Sequence, residues 1–124
     1  KVTLGKYIKT IGEGAFSGCG KLQAVTVGGN VTVIGDKAFY KCSGLLKITI
    51  PAKVNKIGKS AFYGCKKLKR ITIKSKMLTG KNVGGKAFKG IHAKAAVKAP
   101  KSKLSAYKKM LRAKGIGAKV KVQG

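Results

Sequence analysis

A 23-residue period is the feature that most constrains the fold of this chain. Residues 11–19 recur as 34–42 and again as 57–65, with Ile-Gly at the start of each copy, Ala-Phe in the middle and Cys at the end. A block of the form Leu-x-x-Ile-Thr-Ile, in one copy with valines, follows each at a fixed distance. A unit this short cannot bury its apolar face alone, so the period predicts a solenoid of stacked coils.

The repeat extends in both directions from these three copies. Val2-Thr3-Leu4 matches the tail of an earlier copy, and residues 83–88 begin a degenerate fourth copy after an insertion within 74–82. We therefore expect leucine-rich repeats of about 23 residues over 1–100, the first partial and the last degenerate. The chain also opens in mid-pattern, so we expect it to be a segment of a longer protein.

Each repeat predicts its own local structure. The apolar–Thr–apolar alternation of Ile-Thr-Ile is typical of a strand with one buried face. Ala-Phe-x-x-Cys predicts one turn of helix or 3₁₀-helix, and Val-x-x-Ile predicts a second short extended edge. The glycine after that edge (12, 35, 58 and 84) predicts a bend or a φ that other residues resist. The expected core columns are Leu22/Leu45/Leu68, Val25/Ile48/Ile71/Val97, Val27/Ile50/Ile73 and Phe16/Phe39/Phe62/Phe88.

Residues 101–124 break the pattern and predict a cap of helix and strand over the last coil, within the same domain. Pro100 ends the repeat strand, Ser102 is the expected N-cap, and Gly115 fits a helix stop. Alternation at 120–122 indicates a final strand. The apolar residues at helical spacing are Leu104, Tyr107, Met110 and Leu111.

The pattern Ile-Gly-x-x-Ala-Phe-x-x-Cys-x-x-Leu-x-x-Ile-x-Ile-Pro resembles the BspA-like leucine-rich repeats, over residues 2–100. The basic stretch 100–109 resembles the C-terminal segment of such proteins from gut Firmicutes. The resemblance implies a right-handed solenoid with a parallel sheet along one face. It also implies secreted or surface-attached bacterial proteins, several of them linked to adhesion. Gly28 in place of Pro, the insertion near 74–82 and Ile91 in place of Cys depart from the pattern.

The charge of the chain is extreme and uneven. Residues 1–50 hold seven lysines and both acidic residues, whereas 51–124 hold 22 basic residues and no acidic one, for a net charge of +27. Three interpretations of the lysines are open: a solvated face, retention on anionic wall polymers or acidic host glycans, and binding to nucleic acid. Arginine, which specific base recognition favours, occurs only at 70 and 112, so we expect no specific nucleic-acid partner.

The three cysteines, Cys19, Cys42 and Cys65, fall in one column. We expect a ladder of buried free thiols that pack as small apolar side chains. A disulfide between adjacent coils stays open as an alternative, because coils about 5 Å apart bring cysteines within reach. Zinc is disfavoured, since its ligands are typically paired at Cys-x-x-Cys spacing.

The side chains suited to chemistry are few, so we expect no enzyme, no cofactor and no metal. His92 is the only histidine and aligns with Lys66, in a column expected to be exposed. Tyr40 and Tyr63 share a column next to the buried phenylalanines, so we expect them to point outward. The candidate ligand contacts are Tyr40, Tyr63, Lys41, Lys66 and Lys67.

The sequence thus predicts a non-catalytic binding module on a bacterial surface or in a secreted protein, with a protein or glycan ligand on a host or neighbouring cell. Two other classes of function are open: a rigid structural spacer, and an accessory repeat domain of a larger secreted enzyme. No apolar run approaches the ~20 residues of a membrane span. The N-terminal edge strand also predicts end-to-end self-association.

Overall fold

The Leu-x-x-Ile-Thr-Ile blocks form short parallel strands, as their alternation predicts, in a computed structural model that describes residues 1–124. Each strand pairs with the strand one repeat later, so Val2 lies beside Val25 and Ile48 beside Ile71. The strands are β1 (Val2–Thr3), β2 (Thr10–Ile11), β3 (Val25–Thr26), β4 (Val33–Ile34), β5 (Lys47–Ile50), β6 (Lys56–Ile57), β7 (Arg70–Ile73), β8 (Ala96–Lys98) and β9 (Lys121–Gln123).

The strands occupy two sides of a solenoid. On one side β1 pairs with β3, and β5, β7, β8 and β9 follow in order; on the other, β2, β4 and β6 pair in order. We number the coils by the strand residue that opens each: the first is 2–24, the second 25–47, the third 48–70, the fourth 71–96 and the closing coil 97–124. The predicted leucine-rich-repeat solenoid is confirmed.

The Ala-Phe-x-x-Cys block forms a third ladder between coils. The N–H groups of Ala38, Tyr40 and Cys42 donate to carbonyls three residues earlier, as in the predicted 3₁₀-type turn. The N–H groups between them reach the next coil instead: that of Phe39, for example, donates to the carbonyl of Ala61 at 2.8 Å. Alternate backbone donors therefore shape the turn and join the coils.

The core is a set of ladders along the solenoid axis, and the predicted columns form it. The four phenylalanine rings stack with centroids 5.2–5.3 Å apart and planes within 10° of parallel. Phe39, Phe62 and Phe88 are fully buried, whereas Phe16 is half-buried. Val27 is also half-buried, unlike Ile50 and Ile73 in the same column. The side chains of these columns are less buried in the first coil, which contacts a neighbouring coil on one side only.

The glycines after the second edge act through packing and not through φ. None of Gly12, Gly35, Gly58 and Gly84 has a positive φ. A Cβ on Gly35 would lie 2.8 Å from the backbone nitrogen of Glu13, and Cβ atoms on Gly58 and Gly84 would overlap the coil before them. Close approach of the coils thus explains this column, and the expectation of an unusual φ was wrong.

The cap is a modified fifth coil. A 3₁₀ turn at Lys101–Lys103 leads into α1 (Leu104–Ala113), and β9 then joins the sheet beside β8. Tyr107, Met110 and Leu111 are buried, as their spacing predicts. Ser102 is not the N-cap: it lies inside the 3₁₀ turn, and α1 follows Lys103 without a side-chain cap. The helix α1 is neither long nor apolar enough to cross a membrane.

The insertion in the fourth coil is held by the cap. The hydroxyl of Tyr107 donates to the carbonyl of Ser75 at 2.7 Å and accepts from the N–H of Leu78 at 3.1 Å. The Ser75 side chain is buried and donates to the carbonyl of Val54 in the third coil. The extra residues therefore turn back with their buried polar groups paired.

Candidate binding surface

Two tyrosines stand on the outer side of the turn ladder, as predicted. Because Tyr40 and Tyr63 each follow a buried phenylalanine, their rings point away from the core and are half-buried. The two rings stack on each other with centroids 5.3 Å apart and planes 14° from parallel. Ser17 and Lys89 occupy the same position in the first and fourth coils. The result is a stacked pair of rings that spans two coils, which we call the tyrosine pair.

Two lysine ammonium groups lie beside Tyr40. The Nζ atoms of Lys37 and Lys41 are 5.2 and 5.3 Å from its ring centroid, within range of a cation–π interaction. Both lysines have a left-handed backbone, with φ of 56° and 53°. Other coils place glycine at the position of Lys41, where Gly64 and Gly90 have φ of 74° and 81°. A lysine there is strained by about 1–2 kcal/mol relative to a glycine.

A shallow depression lies beside Tyr63, on the side of the fourth coil. It is lined by Lys41, Ser43, Tyr63, Gly64, Lys66, Lys89 and Gly90. Three of the five predicted contact residues thus meet here, and Tyr40 stacks against one of them. Lys67 does not join them: it lines a separate depression with Lys47, Lys69 and Arg70, next to the sheet.

Sequence reasoning missed Ser43 and Lys89. Both could have been found from the repeat, since Ser43 aligns with Lys66, and Lys89 aligns with Tyr63 once the insertion is counted. The residue types at these positions differ between coils, so a search for residues that recur in every repeat does not find them. The stacking of coils brings them together because aligned positions become neighbours along the solenoid.

The outward face of the sheet carries a second basic surface, also missed from sequence. Lys47 pairs in register with Arg70, and Ala96 and Lys121 continue that line across the sheet. Lys98 lies two residues further along β8, beside Thr72. The strand alternation predicts that these positions face outward, but it does not show how they line up between strands.

The cysteine column is only partly buried. Cys42 and Cys65 are buried free thiols that donate to the carbonyls of Phe16 and Phe39, at 3.0 and 3.1 Å. The hydrogen bond with Cys42 and burial raise the pKa of Cys65. Cys65 therefore stays protonated, and both buried thiols pack as predicted. Cys19 is exposed, so a buried ladder of all three was wrong: the first coil has no neighbour covering that side.

His92 and the acidic residues make no cluster. His92 was predicted to be exposed, but it is half-buried. Its Nδ1 atom accepts a hydrogen bond from the N–H of Lys94 at 3.0 Å. The carboxylate of Asp36 accepts from the N–H of Lys59 at 2.8 Å. No three side chains among His, Cys, Asp and Glu lie close enough together to hold a metal ion.

The comparison with known families agrees with this architecture. The model of the BspA type leucine rich repeat region (six copies) matches residues 1–111. The chain belongs to this family. BspA-type repeats thus account for all four coils and for most of the cap helix. None of the curated proteins gives a significant match to this BspA-type chain.

Two solved structures share the BspA-type fold. A leucine-rich repeat protein from Bacteroides ovatus ATCC 8483 has 29% identity and a TM-score of 0.69, over 91% of this chain and 27% of that one. A leucine rich cell surface protein from Faecalibacterium prausnitzii A2-165 has 28% identity and a TM-score of 0.63, over 82% of this chain and 35% of that one. This chain spans about a quarter to a third of their lengths. The family and these neighbours indicate a binding repeat module.

Proposed function

We propose that this chain is a non-catalytic binding module of a secreted or cell-surface bacterial protein, which adheres to a protein or glycan on a host or neighbouring cell. The observation that carries the proposal is the tyrosine pair, flanked by lysines on the outer side of the solenoid. A BspA-type neighbour described as a cell surface protein supports the location.

The fold does not need the tyrosine pair, which favours a role in binding. Ser17 and Lys89 occupy the same column in other coils, so the stacking of the turns tolerates small and charged side chains there. The two rings are half-buried, so they lose part of their contact with solvent in the free protein. They offer a partner a rigid aromatic surface. Tyrosine supplies large contact area with a polar tip, which suits sugar rings and protein partners alike.

The basic surface supports retention on anionic wall polymers beside this contact. A net charge of +27 attracts polyanions over roughly a Debye length, ~8 Å at physiological salt. The outward cations of the sheet offer several charges to an extended polymer: Lys47, Arg70, Lys98 and Lys121. We assign this attraction to holding the protein near the wall, and ligand discrimination to the tyrosine pair.

The scarcity of histidine and acidic side chains supports a non-catalytic role. General acid–base catalysis needs positioned groups that exchange protons near the working pH. Asp36 accepts a backbone hydrogen bond, and the Nδ1 atom of His92 does the same. Neither lies in the depression beside Tyr63.

An array of glycans and matrix proteins, read at about 0.3 M salt, tests the proposal. At that salt the Debye length falls to roughly 5–6 Å, so diffuse attraction is weakened and specific contacts remain. We expect the chain to retain a defined set of ligands. The double variant Tyr40→Ala/Tyr63→Ala should lose affinity for them by about tenfold or more.

Tyr7→Ala is the matched control for this experiment. Tyr7 is 83% exposed and also has a lysine ammonium group near its ring, that of Lys6 at 5.2 Å, but it lies outside the tyrosine pair. Binding should survive this change. Absence of binding to every ligand on the array, or equal losses of affinity in both variants, would contradict the proposal. Absence of binding would favour a rigid spacer or an accessory domain of a larger enzyme.

A further inference from the structure

We infer that the depression beside Tyr63 binds an acidic sugar unit, that is, a saccharide ring that carries a carboxylate or sulfate group. This inference rests on the proposed function and names the ligand class of its site. Three features of the depression carry it: the aromatic ring of Tyr63, a floor of glycines, and cations from three consecutive coils.

The aromatic surface of the depression belongs to Tyr63. Tyr40 stacks on one side of its ring at 5.3 Å, and the other side faces the fourth coil, where Lys89 holds the same position in the column. The ammonium groups of Lys37 and Lys41 lie at the ring of Tyr40 and not at that of Tyr63. The part of the Tyr63 ring that lines the depression therefore offers an apolar contact to a sugar ring.

The floor of the depression is backbone. Gly64 and Gly90 hold adjacent left-handed positions, with φ of 74° and 81°, and neither puts a side chain into the space. A Cβ on Gly90 would lie 3.2 Å from the nitrogen of Gly64, and one on Gly64 would lie 3.1 Å from Cγ of Lys41. The glycines thus let the two coils approach and leave a flat surface next to the ring.

The cations come from three coils and line the depression. Lys41, Lys66 and Lys89 belong to the second, third and fourth coils, and all three are exposed. No acidic side chain lines the depression, so no carboxylate neutralises these ammonium groups there, although that of Lys41 also lies at the ring of Tyr40. Ser43 adds a hydroxyl that can both donate and accept. Ammonium groups contact the acid group of a sugar, and Ser43 contacts its hydroxyls.

The combination favours an acidic saccharide over two simpler ligands. A neutral sugar would use Tyr63 but would not need three lysines. An inorganic polyanion would use the lysines but would gain nothing from the ring of Tyr63 and the glycine floor. Only a ring with a negative charge uses every element of the site.

Titration calorimetry on the intact chain with four probes tests the inference. The probes are an oligogalacturonate, the same oligosaccharide with its carboxylates reduced to alcohols, a sulfated oligosaccharide, and an inorganic polyphosphate of similar length. Two variants carry the same loss of charge: Lys41→Gln/Lys66→Gln/Lys89→Gln in the depression, and Lys81→Gln/Lys108→Gln/Lys119→Gln at exposed positions elsewhere. Tyr63→Ala removes the ring alone. Thermal unfolding of each variant checks that it is folded.

We expect the oligogalacturonate to bind at about 0.3 M salt. The depression triple variant and Tyr63→Ala should each weaken it about tenfold or more, and the control triple variant less than about twofold. The reduced oligosaccharide should bind the native chain at least about tenfold more weakly than the acidic one. Both triple variants should lower polyphosphate binding equally, because that binding follows net charge.

Several outcomes would overturn the inference and leave the proposed function standing. Equal weakening of the oligogalacturonate by the two triple variants would mean diffuse attraction. Equal binding of the acidic and reduced forms would mean a neutral-sugar site. Absence of binding to the oligogalacturonate and to a sulfated oligosaccharide, with ligands still found on the array and lost in Tyr40→Ala/Tyr63→Ala, would mean a ligand of another class.

Discussion

The second and third coils hold together in a different way from the fourth coil and the cap. In the second and third coils each core position meets a similar residue one repeat away: Phe39 stacks on Phe62, and Leu45 and Leu68 share a column. In the fourth coil Ile91 replaces the cysteine and the insertion interrupts the period. There the strands β7, β8 and β9 still pair, and the hydroxyl of Tyr107 in the cap adds two hydrogen bonds with the inserted residues.

The difference teaches how a repeat protein can end. Identical columns distribute stability over many apolar contacts, each of which depends only on its neighbours. In the closing coil α1 takes the place of the repeat pattern and buries Tyr107, Met110 and Leu111. Because an insertion brings unpaired backbone groups, a polar partner of the right length is also needed, and the hydroxyl of Tyr107 supplies it.

Removing one ring from the regular region should have the largest effect. Phe39→Ala deletes a fully buried ring between two others, so we expect it to lower the free energy of unfolding by about 3–5 kcal/mol. Phe16→Ala is the control, because Phe16 is half-buried and stacks on one side only. Urea unfolding followed by circular dichroism measures both; equal losses would mean that the column does not depend on stacking from both sides.

The next largest loss of stability should come from adding one methyl group where two coils meet. A Cβ on Gly58 would overlap the backbone of Asp36, whereas one on Gly12 would meet nothing within 4 Å. We expect Gly58→Ala to destabilise by about 3 kcal/mol, near the upper end for overpacking. Gly12→Ala should be neutral or slightly stabilising, because alanine reduces the entropy of the unfolded chain. A harmless Gly58→Ala would refute close approach as the reason for this column.

Deleting the hydroxyl of Tyr107 should have the smallest effect and should act at the closing end alone. Tyr107→Phe keeps the ring but leaves the carbonyl of Ser75 and the N–H of Leu78 without their partner, so we expect a loss of about 1–2 kcal/mol. Amide hydrogen exchange should show faster opening over 74–82 and α1, with the second and third coils unchanged. Uniform loss of protection would mean that the two regions unfold as one.

The same residue makes stability depend on alkaline pH. Burial raises the pKa of Tyr107 above its usual value near 10. Since the folded state holds the proton more tightly than the unfolded one, this contribution is complete below the unfolded pKa and is lost as pH rises through the folded pKa. The difference in stability between the native chain and Tyr107→Phe should therefore shrink as pH rises above about 10. A constant difference would show that the hydroxyl does not titrate in that range.

The sequence by itself determined the architecture. A strict period of 23 residues leaves few solutions, because aligned apolar residues can be buried only by stacking. The strand columns, the buried phenylalanines, the outward tyrosines and a cap of helix and strand all follow from spacing. Local periodicity sets which face of a strand or turn is buried, and it needs no knowledge of distant contacts.

The tertiary structure alone decided what lies between the coils. Glycine at position 58 could be required by a positive φ or by a close neighbour. Which of the two applies depends on how near the preceding backbone comes, and the sequence does not encode that distance. The partners of Tyr107 lie 29 and 32 residues away in sequence, outside the repeat register. The depression gathers Lys41, Lys66 and Lys89 from three coils because the stacking makes successive copies neighbours in space. Contacts across the axis depend on packing distances, and only the folded chain sets these.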